Sequence, residues 1–365
     1  MPSFAAARTI ATPVVAFLLL VLVWGRELAP LVVVIVAVAL IGAVLVAVHH
    51  AEVVAHRVGE PLGSLILAVA VTVIEVGLIL SITASGGPKT ASLARDTVFA
   101  AVMITCNGIV GLALVVGASR HRVVSFRATG SGGALAAVMT LTTLCLALPT
   151  FTTTTPGPTF AGPQLAFAAF VSVVLYGVFV FVQTVRHREY FLPVAQATGA
   201  DGGEAEGEDR HRPSGRAALI SLGLLLVALV AVVGLAKSIS PTIEAVVSSV
   251  GAPPSLVGVA IALLVLLPET LAAVNAAARN RLQTSFNLAY GSALASIGLT
   301  IPAIALASIW MDGPLLLGLS GIELVLLAIT ALVSSLTVGL GTAIVLEGAI
   351  HLVIFAAFLF VAIVP

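Results

Sequence analysis

Four glutamates, Glu75, Glu269, Glu323 and Glu347, each interrupt an otherwise apolar run of this sequence. Carboxylate oxygens are the ligands that a hard cation prefers, and calcium takes about six to eight oxygens in a flexible shell. Glu75 and Glu269 form the leading pair, because each ends a matching apolar stretch with a small-residue start, Gly63 to Glu75 and Gly258 to Glu269. Two carboxylates would balance a divalent charge. Neutral oxygens stand close by: Thr72 lies one turn before Glu75, Thr270 adjoins Glu269, and Asn107, Ser292 and Ser296 occupy neighbouring apolar runs. Backbone can extend the shell, since Pro268 has no amide hydrogen and disturbs the turn before it, with Pro61 and Pro302 as further helix-loosening positions. Without a metal ion, the same carboxylates take protons. A site that holds either a cation or protons is the core of an exchange mechanism.

The other titratable groups suit supporting roles. His49, Glu52 and His56 are spaced three and four apart, so a helix would put them on one face, and imidazoles change charge near neutral pH. Glu347 and His351 are four apart and would pair locally. Together with Glu323 these residues are read as a proton pathway or a regulatory set. Plain helix packing is the competing account of Asn107, Ser292 and Ser296, because small polar side chains also join helices in a membrane. A metal-dependent hydrolase would need a motif such as His-Glu-x-x-His within a span, and none occurs. The expectation is a transporter with no enzymatic activity and no cofactor beyond the transported ions.

Membrane helices must position these residues. Of 365 residues, 60% are apolar and only 9% are charged, with a mean hydropathy of +1.20, whereas soluble domains average about 25% charged. Apolar runs of about 20 residues, the length that crosses hydrocarbon, follow one another along the chain. Cut at Gly, Pro and charged punctuation, they give about eleven spans, centred near residues 19, 40, 72, 108, 140, 174, 227, 264, 296, 324 and 353. A carboxylate at mid-bilayer costs a few kcal/mol even on lenient scales, so each such glutamate is a functional candidate. The zero net charge and lack of a basic stripe exclude nucleic acid as a partner. Membrane lipid and the transported ions remain as partners, with a homo-oligomer left open. Cys106 and Cys145 lie in apolar runs and read as small hydrophobes.

Lys and Arg accumulate in cytoplasmic loops. With the N-terminus inside, twelve of the 16 fall in the cytoplasm, and only Arg26, Lys89, Arg95 and Lys237 fall outside. The count favours an inner-membrane, multi-pass protein with a cytoplasmic N-terminus and an external C-terminus. The stretch 193–216, rich in Gly and acidic residues, reads as a solvated cytoplasmic linker. The expected organisation is therefore an N-terminal helix over 1–28, a first five-helix repeat over 29–192, the linker, and a second five-helix repeat over 217–365. Halves with odd helix numbers enter the membrane in opposite senses, which is the inverted-repeat plan of many secondary transporters. The fold class is all-α.

Four segments resemble the bacterial Cha-type calcium/proton antiporters of the calcium/cation antiporter superfamily. They are His49-His-Ala-Glu-Val-Val-Ala-His-Arg-Val-Gly-Glu-Pro-Leu-Gly-Ser64, Thr72-Val-Ile-Glu75, Pro268-Glu-Thr-Leu-Ala-Ala273, and the long block from Asn280 through Gln283, Asn287 and Gly291-Ser-Ala-Leu-Ala-Ser296 to Pro302. The resemblance implies eleven helices, an inverted repeat, and two signature glutamates, here Glu75 and Glu269, that bind the transported cation. The sequence departs from the wider superfamily where a Gly-Asn pair precedes each signature glutamate; here Ala70-Val-Thr-Val and Leu264 to Leu267 stand instead. Proteins that look like this one exchange calcium for protons, and some exchange sodium or potassium.

Overall fold

A computed structural model describes residues 4–59, 62–86, 91–193, 213–249, 251, 253, 255–310 and 315–364. Pro61 and most of the acidic linker, 194–212, lie outside the described residues. The chain is nearly all helix: α1 (Phe4–Val23), α2 (Pro30–Val58), α3 (Leu62–Gly86), α4 (Leu93–Met103), a π segment (Ile104–Ile109), α5 (Val110–His121), α6 (Ala128–Thr142) and α7 (Gly162–Phe181). The second half holds α8 (Gly215–Ser249), α9 (Ser255–Val265), α10 (Leu267–Ala278), α11 (Leu282–Ala307), α12 (Gly321–Gly339) and α13 (Val345–Ile363). One small departure from an all-helical fold is a two-residue antiparallel ladder, in which β1 (Val124–Ser125) pairs with β2 (Thr342–Ala343).

Among the described residues, eight helices are long and apolar enough to cross a membrane, with α4, the π segment and α5 counted as one. The bent pair α9–α10 makes a ninth. Shorter apolar helices, Arg8–Val23 and Ala68–Thr83, occupy the remaining two expected positions. Each expected span centre thus falls on its own helical unit, while a count of eleven crossings depends on those two shorter helices.

The span expected near residue 264 is not straight. It breaks by 52° between α9 and α10, where Leu266 takes φ −86° and ψ 0°. Pro268 explains the break: without an amide hydrogen it cannot donate to the carbonyl four residues back, and its ring crowds that turn. The break faces a second irregularity. α9 packs on α4 and α10 packs on α5, so the bend lies beside the π segment that joins α4 to α5.

Close approach comes from glycine where helices cross, as expected where lipid gives no hydrophobic drive and small residues let backbones meet. A Cβ on Gly258 of α9 would stand 2.9 Å from both the Asp96 Cβ and the Thr97 amide of α4. A Cβ on Gly348 of α13 would come 2.8 Å from the Val115 amide of α5.

Buried apolar residues separate into two main clusters. One joins α1, α2 and α8 with one face of α3 and α9, and includes Val36, Ile74, Leu78, Leu235 and Val265. The other joins α4 to α7 with α11 to α13, and includes Phe99, Met103, Leu141, Phe286 and Tyr290. Outward faces are apolar as well, for example Leu31, Val34 and Val38 on α2 and Val325, Leu332 and Leu336 on α12. Polar groups are instead held inside, which suits a protein whose solvent is hydrocarbon.

Candidate functional site

Where the two clusters meet, α3 and α11 bring Glu75 and Ser296 together. Glu75 is only 4% exposed, and the Ser296 hydroxyl is 2.8 Å from its Oε1 and 3.0 Å from its Oε2, donating its single proton between them. Thr72 and Ser292 join these two in lining a cavity of about 10 Å³, walled otherwise by Val71, Ala101, Ala262, Val265, Leu266 and Ala295. That volume admits roughly one water or one ion stripped of its shell. Sequence spacing explains the convergence: Ser292 and Ser296 are four apart on α11, and Thr72 and Glu75 are three apart on α3, so each pair shares a helix face.

Continuing the α11 stripe gives a residue that sequence reasoning missed. Thr300, four after Ser296, is fully buried beside Glu75, and its hydroxyl finds no partner of hydrogen-bonding geometry. The same four-residue spacing was its signal.

Glu269 stands in the first turn of α10, just past the Leu266 break. It is not among the residues that wall the cavity around Glu75. The two carboxylates are within electrostatic reach, as is Glu52 of α2. One oxygen of Glu269, Oε2, is buried without a partner. A lone carboxylate oxygen shut away from water is costly unless some donor or cation visits it. The Thr270 hydroxyl, expected as a ligand, donates to the Leu266 carbonyl of its own helix at 2.7 Å, a carbonyl that also accepts from the Thr270 amide.

Asn107 is also turned away. The π turn inserts an extra residue into the helix, and there the Asn107 Nδ2 donates to Thr330 of α12 at 2.9 Å. Its Oδ1 accepts from His351 Nδ1 of α13 at 3.2 Å. His351 is fully buried, and Thr337 Oγ1 lies 3.1 Å from its Nε2. The expected Glu347–His351 pair is therefore absent: Glu347 accepts from the Ile344 amide at 2.9 Å, at the start of α13. Glu323 has a similar duty. With Ser320 it forms a capping box on α12, accepting from the Ser320 amide at 2.7 Å. The pattern Ser320-Gly-Ile-Glu323 is the usual signature of that motif, and a capping role accounts for both acids without invoking protons.

Toward the C-terminal end of α2, His49, Glu52 and His56 are exposed, and no cluster of three or more metal-binding side chains occurs among the described residues. It is the unremarked neighbour His50 that is buried, donating from Nε2 to the Thr9 carbonyl of α1 at 3.1 Å. Within the long block from Asn280, Gln283 and Asn287 act as ties. Gln283 accepts from the Arg127 amide and donates to Ser131 and Asn287, and Asn287 donates to the Phe191 carbonyl.

A polytopic helical protein with a buried, hydroxyl-braced carboxylate at the junction of two packed cores is built as a secondary ion transporter. The chain belongs to the sodium/calcium exchanger protein family, whose sequence profile matches residues 28–185 and 220–364. It is 48% identical, over 89% of its own length and 87% of the other, to y4hA of Sinorhizobium fredii, described no further than as an ionic transporter. It is 34% identical, over 95% and 93%, to the sodium-potassium/proton antiporter ChaA of Escherichia coli. In three dimensions it resembles the calcium/proton antiporter protein YfkE, with a TM-score of 0.66 at 14% identity, covering 98% of each chain. That last likeness is one of fold.

Proposed function

We propose that the protein exchanges cytoplasmic calcium for external protons across the inner membrane, with Glu75 as the group that carries either cargo. The observation that carries this reading is the cavity in which Glu75, Ser296, Ser292 and Thr72 converge at about the volume of one ion. Calcium would need more oxygens than that cavity presents, and Glu269, within electrostatic reach and with one oxygen unpartnered, supplies the second carboxylate when the two clusters close on the ion. Protons neutralise the same oxygens for the return step. Alternating access then follows from rocking the α1–α2–α8 cluster against the other around this point.

A five-plus-five inverted repeat fits the packing. If the five spans α2, α3, α4–α5, α6 and α7 correspond in order to α8, α9–α10, α11, α12 and α13, the contact of α5 with α13 mirrors that of α11 with α7, and the contact of α4 with α9 mirrors that of α11 with α3.

A specific observation favours a second reading, sodium or potassium exchange. The cavity wall holds a single carboxylate, which balances a monovalent charge, and ChaA is named for sodium and potassium. Purified protein in vesicles with an acidic lumen and an enclosed pH dye decides between them. Dye recovery on adding calcium alone supports the first reading; recovery with sodium or potassium alone supports the second. No recovery with any of these cations rules out antiport.

A further inference from the structure

Asn107 occupies the same helical position as the residue that braces Glu75. Counting from the helix starts, Asn107 is fourteen residues after Leu93 of α4 (107 − 93), and Ser296 is fourteen after Leu282 of α11 (296 − 282). Ser296 uses that position to donate to the glutamate of the other half. Its counterpart would do the same for Glu269, whose Oε2 is buried without any donor. The π segment that carries Asn107 touches α10, the helix that bears Glu269, and also α11, α12 and α13. What keeps the two apart is the extra residue of the π turn, which aims Asn107 at Thr330 and His351.

We infer that Asn107 is an exchangeable partner, held on His351 and Thr330 in this state and delivered to Glu269 when the π segment relaxes to a regular helix. This rests on the reading of Glu269 as a cation-binding group and adds to it the residues that control its occupancy. The holding geometry is complete on one side. His351 must carry its proton on Nδ1, because the Asn107 Oδ1 can only accept, and Thr337 satisfies the other nitrogen. Thr330 takes the amide hydrogen. On the Glu269 side the orphaned oxygen marks the vacant berth. A π turn is a suitable device, since moving its extra residue along the helix re-aims side chains without unfolding the span. Both resting places are inside the protein, at buried Thr330 and His351 and at the buried Glu269 Oε2, so neither leaves the amide in lipid.

His351 and Thr330 are thus positioning residues that subtract from cation affinity, because a binding-competent state that is only partly populated weakens apparent binding by that fraction. The test is cation-driven proton exchange by the full chain in vesicles, measuring KM and kcat with whichever of calcium, sodium or potassium supports exchange. His351→Leu and Thr330→Val should each lower KM roughly threefold to tenfold and slow turnover, because release becomes harder. His351→Gln, whose amide can still donate to Asn107, should stay near the wild-type KM. Asn107→Leu should raise KM, and combining it with His351→Leu should give the same KM as Asn107→Leu alone. Thr330→Val removes only a hydroxyl and reads the same quantity if His351→Leu fails to fold. An unchanged or raised KM in a folded holding variant, or a gain that survives loss of Asn107, overturns the inference while leaving antiport at Glu75 intact. Absence of exchange in the wild type removes both.

Discussion

Ser296 and Glu75 contribute to the site in different ways, so their substitutions separate affinity from coupling. Ser296→Ala removes both hydroxyl contacts to the carboxylate while keeping the packing of α11. Hydrogen bonds to charged groups contribute about 1.5–3 kcal/mol, so cation affinity should fall by roughly tenfold to a hundredfold, read as a rise in KM with protein yield unchanged. Glu75→Gln keeps shape and polarity but can neither release a proton nor balance a charge. It should abolish cation-driven proton movement altogether, including at saturating cation. Because both cargoes use the same oxygens, acidifying the side from which the cation binds should raise its apparent KM in proportion to proton concentration and leave the maximal rate unchanged. A pH effect confined to the maximal rate would place the proton on a different group.

Helix packing at the site is more sensitive to volume than to chemistry. Gly258→Leu would drive α9 off α4 where an added Cβ meets Asp96 and the Thr97 amide at 2.9 Å. Overpacking of this kind costs about 1–3 kcal/mol, which should appear as a lowered unfolding temperature in detergent. Gly223→Ala on α8, where no atom lies within 4 Å of an added Cβ, should show no loss. At this scale the sequence conveyed much. Apolar run length placed each expected span centre on a helical unit, and the neutral oxygens named beside Glu75, those of Thr72, Ser292 and Ser296, line one cavity with it. Sequence reasoning failed where backbone departs from a regular helix. The π turn that redirects Asn107 and the bend just before Glu269 are tertiary adjustments, with only Pro268 as a local sign. Thr270, Glu323 and Glu347 each bond to a backbone amide or carbonyl at a helix start, and that competition is hard to weigh from hydropathy alone.

Orientation of the whole molecule follows from which connections share a face. The β1–β2 ladder puts the α5–α6 connection beside the α12–α13 connection, and His121 donates to the Ala278 carbonyl at the α10–α11 turn. Arg120, Arg122, Arg127, Arg279 and Arg281 therefore gather on one face. At the opposite face, the amides of Leu317 and Gly318 donate to the Pro158 carbonyl, and that of Leu316 donates to the Ala91 carbonyl. On the positive-inside rule we propose that the first face is cytoplasmic, with α13 running outward from β2 to end outside. Native thiols do not obscure a test of this, since Cys106 and Cys145 are both buried. Val123→Cys, on the arginine-rich face, and Thr153→Cys, in the loop beside Pro158, each place a thiol at an exposed position. In intact cells a membrane-impermeant maleimide should label Thr153→Cys and spare Val123→Cys, with both labelled once the membrane is opened. The reverse pattern would invert the protein, and with it the side from which Glu75 receives its cation.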